Sequence, residues 1–327
     1  MKIFITRVLP DSILELLTNE GHKIDSWEEK RNPTSEELIE RCKQSDALIS
    51  IGANKLNREF FENASNLKVI ALHSVGFDNV DIAAANEYKI PIGNTPGVLS
   101  KATADIAFLL MQNVARKAFY KHKEILKGDA AFFKPLEDVG VDLQGKTLGI
   151  FGLGRIGFEM AKSAHLAFGM KIIYHNRSQN DEAEKELGAT KVSFDELLSQ
   201  SDVLSLHANL SNETKGLFDK KAFTKMKPSA IFINTARGGM HNETDLKAAL
   251  ENKIIWGAGL DVTNPEPMKK DNPLLNFPNT AILPHIGSAT FETRMDMMRL
   301  CAENTIAGLK GEKLPHIVNP EIYENQP

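Results

Sequence analysis

Three residues in the last third of the chain carry the side chains that proton and anion chemistry would need. Arg237 lies in Asn-Thr-Ala-Arg-Gly-Gly (234–239), Glu266 in Gly-Leu-Asp-Val-Thr-Asn-Pro-Glu-Pro (259–267) and His285 in Leu-Pro-His-Ile-Gly-Ser-Ala-Thr (283–290). An imidazole exchanges protons near neutral pH, a carboxylate favours its charged form, and a guanidinium grips carboxylates. Singly each has an ordinary reading: an Arg can cap carbonyls, a Glu can be a solvated loop residue, and a His is often hydrogen-bonded structure. Each of the three follows an apolar run, however, and in open α/β sheets ligands gather outside the carboxyl ends of strands, where such residues can converge.

A second pattern lies upstream. Residues 146–157, Lys-Thr-Leu-Gly-Ile-Phe-Gly-Leu-Gly-Arg-Ile-Gly, contain Gly152-x-Gly154-x-x-Gly157 directly after a strand-like run and at the opening of a helix near Arg155. Gly152 permits the tight turn, Gly154 lets backbone approach a pyrophosphate, and Gly157 allows close helix–strand packing. Arg155 and Ile156 then present first-turn amides to the anion. Three glycines can also make a plain turn, but strand, turn, helix and second strand are all in place here. That second strand ends in His175-Asn176-Arg177-Ser178, with no Asp or Glu to take a ribose 2′-hydroxyl. Asn176, Arg177 and Ser178 are therefore the expected ribose-side contacts. Arg177 is either the partner of a 2′-phosphate, which makes NADP(H) the preferred cofactor with NAD(H) possible, or a solvated surface cation.

These residues need a scaffold, and the hydropathy pattern supplies one. Apolar runs at Lys2–Thr6, Ala47–Ile51, Lys68–Leu72, Thr147–Phe151, Lys171–Tyr174, Val203–His207, Ala230–Asn234 and Ile282–Pro284 read as strands buried on both faces of parallel sheets. Amphipathic segments lie between them, including Ser35–Cys42, Ala102–Lys117, Ile156–Phe168, Asp181–Leu187 and Glu243–Leu250. Alternation of this kind argues for α/β architecture, and 327 residues are long for one core, so two domains are expected. The segment Lys127–Gly145, rich in Gly and Pro, breaks the alternation as either a surface connection or an arm toward a second subunit.

Composition narrows the function classes. A net charge of −4 without a long basic stretch argues against nucleic acid as a partner. No run of about 18 apolar residues suggests a membrane span, and the opening MKIFIT reads as a strand rather than a leader, so a cytoplasmic protein is expected. Cys42 and Cys301 form neither a disulfide framework nor a metal spacing, and no metal is expected.

Taken together, the stretches 152–157, 234–239, 257–267 and 284–290 closely resemble the D-isomer-specific 2-hydroxyacid dehydrogenases over nearly the whole chain, and among them the glyoxylate/hydroxypyruvate reductases. The resemblance implies two doubly wound parallel-sheet domains. A discontinuous substrate domain would comprise residues 1–100 and 290–327, and a Rossmann NAD(P)-binding domain residues 101–289, with the active site in the interdomain cleft. It makes His285 the acid/base, with Glu266 hydrogen-bonded to it and Arg237 binding substrate. Ser74-Val75-Gly76 becomes a substrate loop whose N–H groups cradle a carboxylate, and Ser288 lines the same pocket. Thr103, Ala208, Thr214, Thr235, Ala236, Asp261, His285 and Gly287 match positions near the cofactor. Asp261 would face the nicotinamide carboxamide. The activity implied is NAD(P)H-dependent reduction of small 2-keto acids, glyoxylate and hydroxypyruvate, with His285 as proton donor, in a homodimer whose Lys127–Gly145 arm lies in the interface. Phe132 and Phe133 are the nearest aromatic candidates on that arm for reaching a neighbouring subunit.

Three positions depart from the family pattern: Asn209 stands where Pro is common, Asp105 where Glu is usual and His241 where an aliphatic residue is typical. None is expected to touch the catalytic residues. Two other activities remain open at the level of sequence: a dehydrogenase for another D-2-hydroxy acid (D-lactate, phosphoglycerate or a branched keto acid), or a nucleotide-sensing regulatory protein on the same fold. The formate dehydrogenases of the family place Gln where Glu266 stands, which argues against formate.

Overall fold

The computed structural model describes residues 1–129 and 135–324. The chain divides into two compact units, Met1–Leu99 with Thr290–Pro327, and Ser100–Ala289.

The first unit is built on a five-stranded sheet of β1 (Lys2–Ile5), β2 (Lys23–Ser26), β3 (Ala47–Ser50), β4 (Val69–Leu72) and β5 (Ile92–Gly93), in the order β2-β1-β3-β4-β5. All its pairings are parallel. β3 and β4 are buried at every position, because apolar side chains cover both faces of the sheet. One covering element is the 20-residue helix Phe291–Lys310, which returns the end of the chain to this unit. Thr290 caps its start by accepting from the Thr293 N–H at 3.2 Å. Gly308 permits its approach, since a Cβ there would lie 2.5 Å from Val69 Cβ.

The second unit holds seven parallel strands: β6 (Thr147–Phe151), β7 (Lys171–His175), β8 (Thr190–Lys191), β9 (Val203–Leu206), β10 (Ile231–Asn234), β11 (Gly257–Leu260) and β12 (Thr280–Ile282). Their order is β12-β11-β10-β9-β6-β7-β8. The winding reverses between β6 and β9, and such a switch point opens a crevice at the carboxyl ends of the strands. Every candidate residue of this unit except Thr103 and Thr214 lies in the first few positions after one of those strand ends, or at the helix start that follows.

The strands that hydropathy alone does not reveal have physical reasons for their silence. β2 is a partly exposed edge of sequence Lys-Ile-Asp-Ser, while β5 and β8 span two residues each. β11, Gly-Ala-Gly-Leu, lacks bulk because helix Ser100–Arg116 presses on it: a Cβ at Gly259 would meet Leu110 Cβ at 2.9 Å, and one at Gly257 would meet Val114 Cγ1 at 2.6 Å. The last strand runs Thr280–Ile282 rather than Ile282–Pro284. Leu283 still donates to the Leu260 carbonyl, but Pro284 has no N–H with which to extend the ladder.

Candidate active site

His285 sits just beyond β12 in the left-handed backbone region, at φ 56°. A non-glycine residue holds that conformation only when its surroundings impose it. Here its N–H donates to the Asp261 carbonyl at 2.8 Å, and the next two N–H groups, of Ile286 and Gly287, donate to Asp261 Oδ1 and Oδ2 at 2.8 and 2.7 Å. The buried Asp261 thus folds the His285–Gly287 turn around its carboxylate. Its carboxyl is raised above the ordinary range, with burial outweighing the two backbone donors and the charge of His285.

The imidazole points its Nδ1 at Glu266 Oε1, 2.5 Å away. Glu266 Oε2 accepts from the Thr263 N–H at 3.3 Å. Burial works to raise the Glu266 carboxyl, but the hydrogen bond and charge of His285, the Thr263 donor and the charge of Arg237 together hold it below its ordinary value. The side chains of His285 and Glu266 keep 47% and 39% of their surface accessible, and Nε2 has no partner among the described residues. A carboxylate behind one ring nitrogen and an open second nitrogen make an orientated proton donor or acceptor.

Arg237 follows β10, and its Nη1 donates to the Ala236 carbonyl at 2.8 Å. The turn beneath it is set by Asn234, which is fully buried. Asn234 Oδ1 accepts from the Ala236 N–H at 3.0 Å, and its Nδ2 donates both to the Arg237 carbonyl at 2.9 Å and to His241 Nδ1 at 3.1 Å. Gly238 allows the turn to rest on backbone, since a Cβ would lie 2.1 Å from the Thr263 carbonyl oxygen.

The glycine turn is closely packed at two of its three glycines and open at the third. Gly152 has φ 93°, and a Cβ there would strike Ala208 N at 2.5 Å, so Ala208 lies directly against the turn. Gly157 packs the helix Arg155–Phe168 onto β6, where a Cβ would meet the Gly152 carbonyl oxygen at 2.6 Å. Gly154 is different: nothing lies within 4 Å of its would-be Cβ, and its φ of −95° is open to any residue. Neither packing nor backbone geometry of this chain requires glycine there, and a bare backbone leaves room for close approach of a ligand. The helix has no side-chain cap, and the amides of Arg155, Ile156 and Gly157 lack acceptors among the described residues. Two buried polar atoms, Thr235 Oγ1 after β10 and His207 Nδ1 after β9, also have no hydrogen-bond partner among the described residues. These features fit a dinucleotide.

Thr103 completes this group, since a Cβ at Gly287 would come within 3.2 Å of Thr103 Cγ2 and 3.1 Å of Asp261 Oδ2. On the ribose side Arg177 and Ser178 are exposed, whereas the side chain of Asn176 is engaged by Leu153, donating to its carbonyl and accepting from its N–H.

In the first unit, Ser74–Gly76 follow β4. All three of their carbonyls are occupied: Ser74 O by the Thr95 N–H at 3.0 Å, Val75 O by Asn94 Nδ2 at 2.9 Å and Gly76 O by the Ser74 hydroxyl at 2.7 Å. Their N–H groups have no acceptor among the described residues. A loop with its carbonyls tied back and its amides open has donors to offer an anion.

A protein-family model described as D-isomer specific 2-hydroxyacid dehydrogenase, NAD binding domain, matches residues 108–287. A glyoxylate reductase of Thermococcus litoralis is 43% identical over 331 residues, covering 100% of this chain and 99% of the relative. The chain belongs to the D-isomer-specific 2-hydroxyacid dehydrogenases. It is thus an oxidoreductase with a nicotinamide dinucleotide cofactor. A crystal structure of a Thermus thermophilus protein superposes with a TM-score of 0.89 at 40% identity, covering 97% of this chain and all of that one. An NADPH-dependent glyoxylate/hydroxypyruvate reductase of Sinorhizobium meliloti, solved with NADP and malonate, gives 0.83 at 29% identity over 97% and 96% of the two chains.

Within this dehydrogenase several positions acquire definite surroundings. Thr214 spends its hydroxyl on the 209–214 loop, donating to the Asn209 carbonyl at 2.8 Å and accepting from the Ser211 N–H at 2.8 Å. Ser288 is half-buried on the turn after His285. Phe132 and Phe133 lie outside the described residues. His241 supplies the second acceptor for the Asn234 amide and so reaches the Arg237 backbone through one side chain. Sequence reasoning passed over Asn94 and Asn234. The signal was available for both, since each is a polar residue at a strand end within a motif: Asn94-Thr-Pro-Gly97 after β5, and Asn234 opening the Arg237 motif. Among the described residues no His/Cys/Asp/Glu group has the makings of a metal site, and no helix is long and apolar enough to cross a membrane.

Proposed function

We propose that this dehydrogenase reduces small 2-keto acids, glyoxylate and hydroxypyruvate, to the corresponding 2-hydroxy acids, with NADPH preferred over NADH. The observation that carries the reading is the 2.5 Å contact of His285 Nδ1 with Glu266, which leaves Nε2 open on a half-exposed side chain. Reduction of a ketone requires a proton at the carbonyl oxygen as hydride reaches the carbon. The reduced nicotinamide supplies that hydride when bound. His285 delivers the proton from Nε2, and Glu266 fixes the ring through Nδ1. Arg237 pairs with the substrate carboxylate and polarises the ketone, while the amides of Ser74–Gly76 receive carboxylate oxygens. Ser288, on the turn carrying the acid, lines the substrate pocket.

For the cofactor, Gly152, Gly154, Gly157 and the amides of Arg155 and Ile156 take the pyrophosphate. Arg177 and Ser178, with the backbone at Asn176, take the ribose side. Thr103, Ala208, Thr214, Thr235, Ala236, Asp261 and Gly287 surround the nicotinamide half. The NADPH preference rests on the exposed Arg177 and the absence of Asp or Glu from 175–178. In this reading residues 1–100 and 290–327 are the substrate domain and 101–289 the cofactor domain. The exposed apolar residues Ile125, Leu126, Leu136, Val139 and Leu166 support a homodimer through the 127–145 arm. The two buried free thiols suit a reducing compartment such as the cytoplasm.

Steady-state oxidation of NADPH and NADH against glyoxylate, hydroxypyruvate, pyruvate and a branched 2-keto acid tests the proposal. Rapid turnover of NADPH with the first two is expected. Turnover confined to the branched acid would overturn the substrate assignment, and equal use of NADH would overturn the cofactor preference. Light scattering at micromolar concentration should give the mass of a dimer.

A further inference from the structure

Leu153, the residue between Gly152 and Gly154, has both of its backbone polar groups held by one loop. Its N–H donates to Asn176 Oδ1 at 2.7 Å, and its carbonyl accepts from Asn176 Nδ2 at 3.1 Å and from Asn180 Nδ2 at 2.9 Å. Asn176 and Asn180 bracket the exposed run Arg177-Ser178-Gln179, so both ends of that run are tied to a single carbonyl. The far end is anchored further. The Asn180 N–H donates to the hydroxyl of the buried Tyr174 at 2.9 Å, that hydroxyl donates to Glu184 Oε1 at 2.7 Å, and Gln179 Nε2 donates to Glu184 Oε2 at 2.6 Å. Asn180 has a second task, since its Oδ1 caps helix Asp181–Leu187 by accepting from the Ala183 N–H at 3.0 Å.

We infer that Asn180, acting with Asn176, is a positioning residue for the cofactor: it clamps the loop bearing Arg177 and Ser178 to the glycine turn, and so sets the spacing between the ribose-side and pyrophosphate-side contacts. The inference rests on the proposed reading of Arg177 and Ser178 as 2′-phosphate contacts. Two phosphate-recognising segments that belong to different β–α connections would otherwise move independently, and a ligand binding both would have to order them. The clamp does that ordering before the ligand arrives. It bears most on a dinucleotide carrying a 2′-phosphate, because only that one draws on the charged end of the loop.

The two tasks of Asn180 separate chemically. Asn180→Ser keeps an oxygen that caps the helix and removes the donor to Leu153, whereas Asn180→Ala removes both. Dissociation constants for NADPH and NADH, read from nicotinamide fluorescence without substrate, and Tm of the unliganded protein are measured for wild type and both variants. The clamp requires Asn180→Ser to keep a Tm close to wild type while its NADPH Kd rises about three- to tenfold, the worth of one neutral hydrogen bond, and its NADH Kd rises less. Asn180→Ala should show the same binding loss with a lower Tm. Wild-type affinities in Asn180→Ser would overturn the clamp and leave Asn180 a helix cap. Wild-type protein binding both dinucleotides equally, with affinity unaffected by Arg177→Ala, would instead overturn the 2′-phosphate reading. The clamp would then stand only if Asn180→Ser weakens both dinucleotides, since Leu153 belongs to the turn that either one uses.

Discussion

The loops that follow β4 in the first unit and those that follow β10–β12 in the second both present polar groups, yet they are made of different material. In the second unit the working groups are side chains: an imidazole backed by Glu266, a guanidinium beside it, and a buried Asp261 that folds the His285 turn. In the first the side chains are ordinary and the backbone supplies the polar groups, with the carbonyls of 74–76 tied and their amides left open among the described residues. The glycine turn at 152–157 belongs with the first kind in chemistry, although it shares a sheet with the second. Side-chain sites tolerate changes to their surroundings and fail when the named residue is removed. Backbone sites survive most changes of their own side chains and fail when the residues holding the backbone are lost.

That contrast can be broken most sharply at His285. Replacement by Ala should lower kcat by roughly 10²- to 10⁴-fold, the usual contribution of a positioned general acid. Near-normal turnover would remove the proton-donor role. Arg237→Ala should cost roughly 10- to 150-fold in kcat/KM for glyoxylate, the loss of a charge-assisted contact, and Arg237→Lys should recover only part of it because an ammonium lacks the paired donors. Equal activity of the Lys variant and wild type would show that charge alone suffices.

The backbone sites predict the opposite pattern. Gly154→Ala meets nothing in the protein, so its Tm should match wild type while its NADPH Kd rises about tenfold; unchanged affinity would detach this glycine from the pyrophosphate. Gly157→Ala, which meets the Gly152 carbonyl oxygen at 2.6 Å, should lower Tm as well. Asn94→Ala should raise the KM for glyoxylate about three- to tenfold with little change in kcat, because it frees the Val75 carbonyl without touching the chemistry. A fall in kcat alone would contradict the nest.

The smallest effect concerns stability. Burial lowers His73, in the first unit, and His241, in the second, to about 4. A histidine depressed in the folded state takes up its proton first in the unfolded chain. The stability present above the ordinary value of 6.5 should therefore decline as pH falls toward 4. His241→Leu should flatten the fall in Tm between pH 6.5 and 4, and an unaltered slope would show that His241 is not one of the groups responsible.

The chain's α/β class, the glycine turn and the three catalytic candidates were legible because each leaves a mark on residue type. Strands buried on both faces must be apolar, a turn at φ 93° needs glycine, and an acid, its carboxylate partner and an anion-binding cation come from very few side chains. β11 escaped because the glycines that let a helix press on it erase its hydropathy signal. The tethers through Asn94, Asn180 and Asn234 escaped for a related reason, and the loop at 74–76 was named only through the family resemblance. An asparagine reads the same on a solvated loop as under a catalytic turn, and backbone amides have no residue type at all. Residue types along the chain determined what chemistry was available. Only the tertiary structure decided which amides stand open, which carbonyls are tied and which nitrogen of His285 faces Glu266, because those depend on contacts between residues far apart in the chain, 19 positions for His285 and Glu266 and 27 for Leu153 and Asn180.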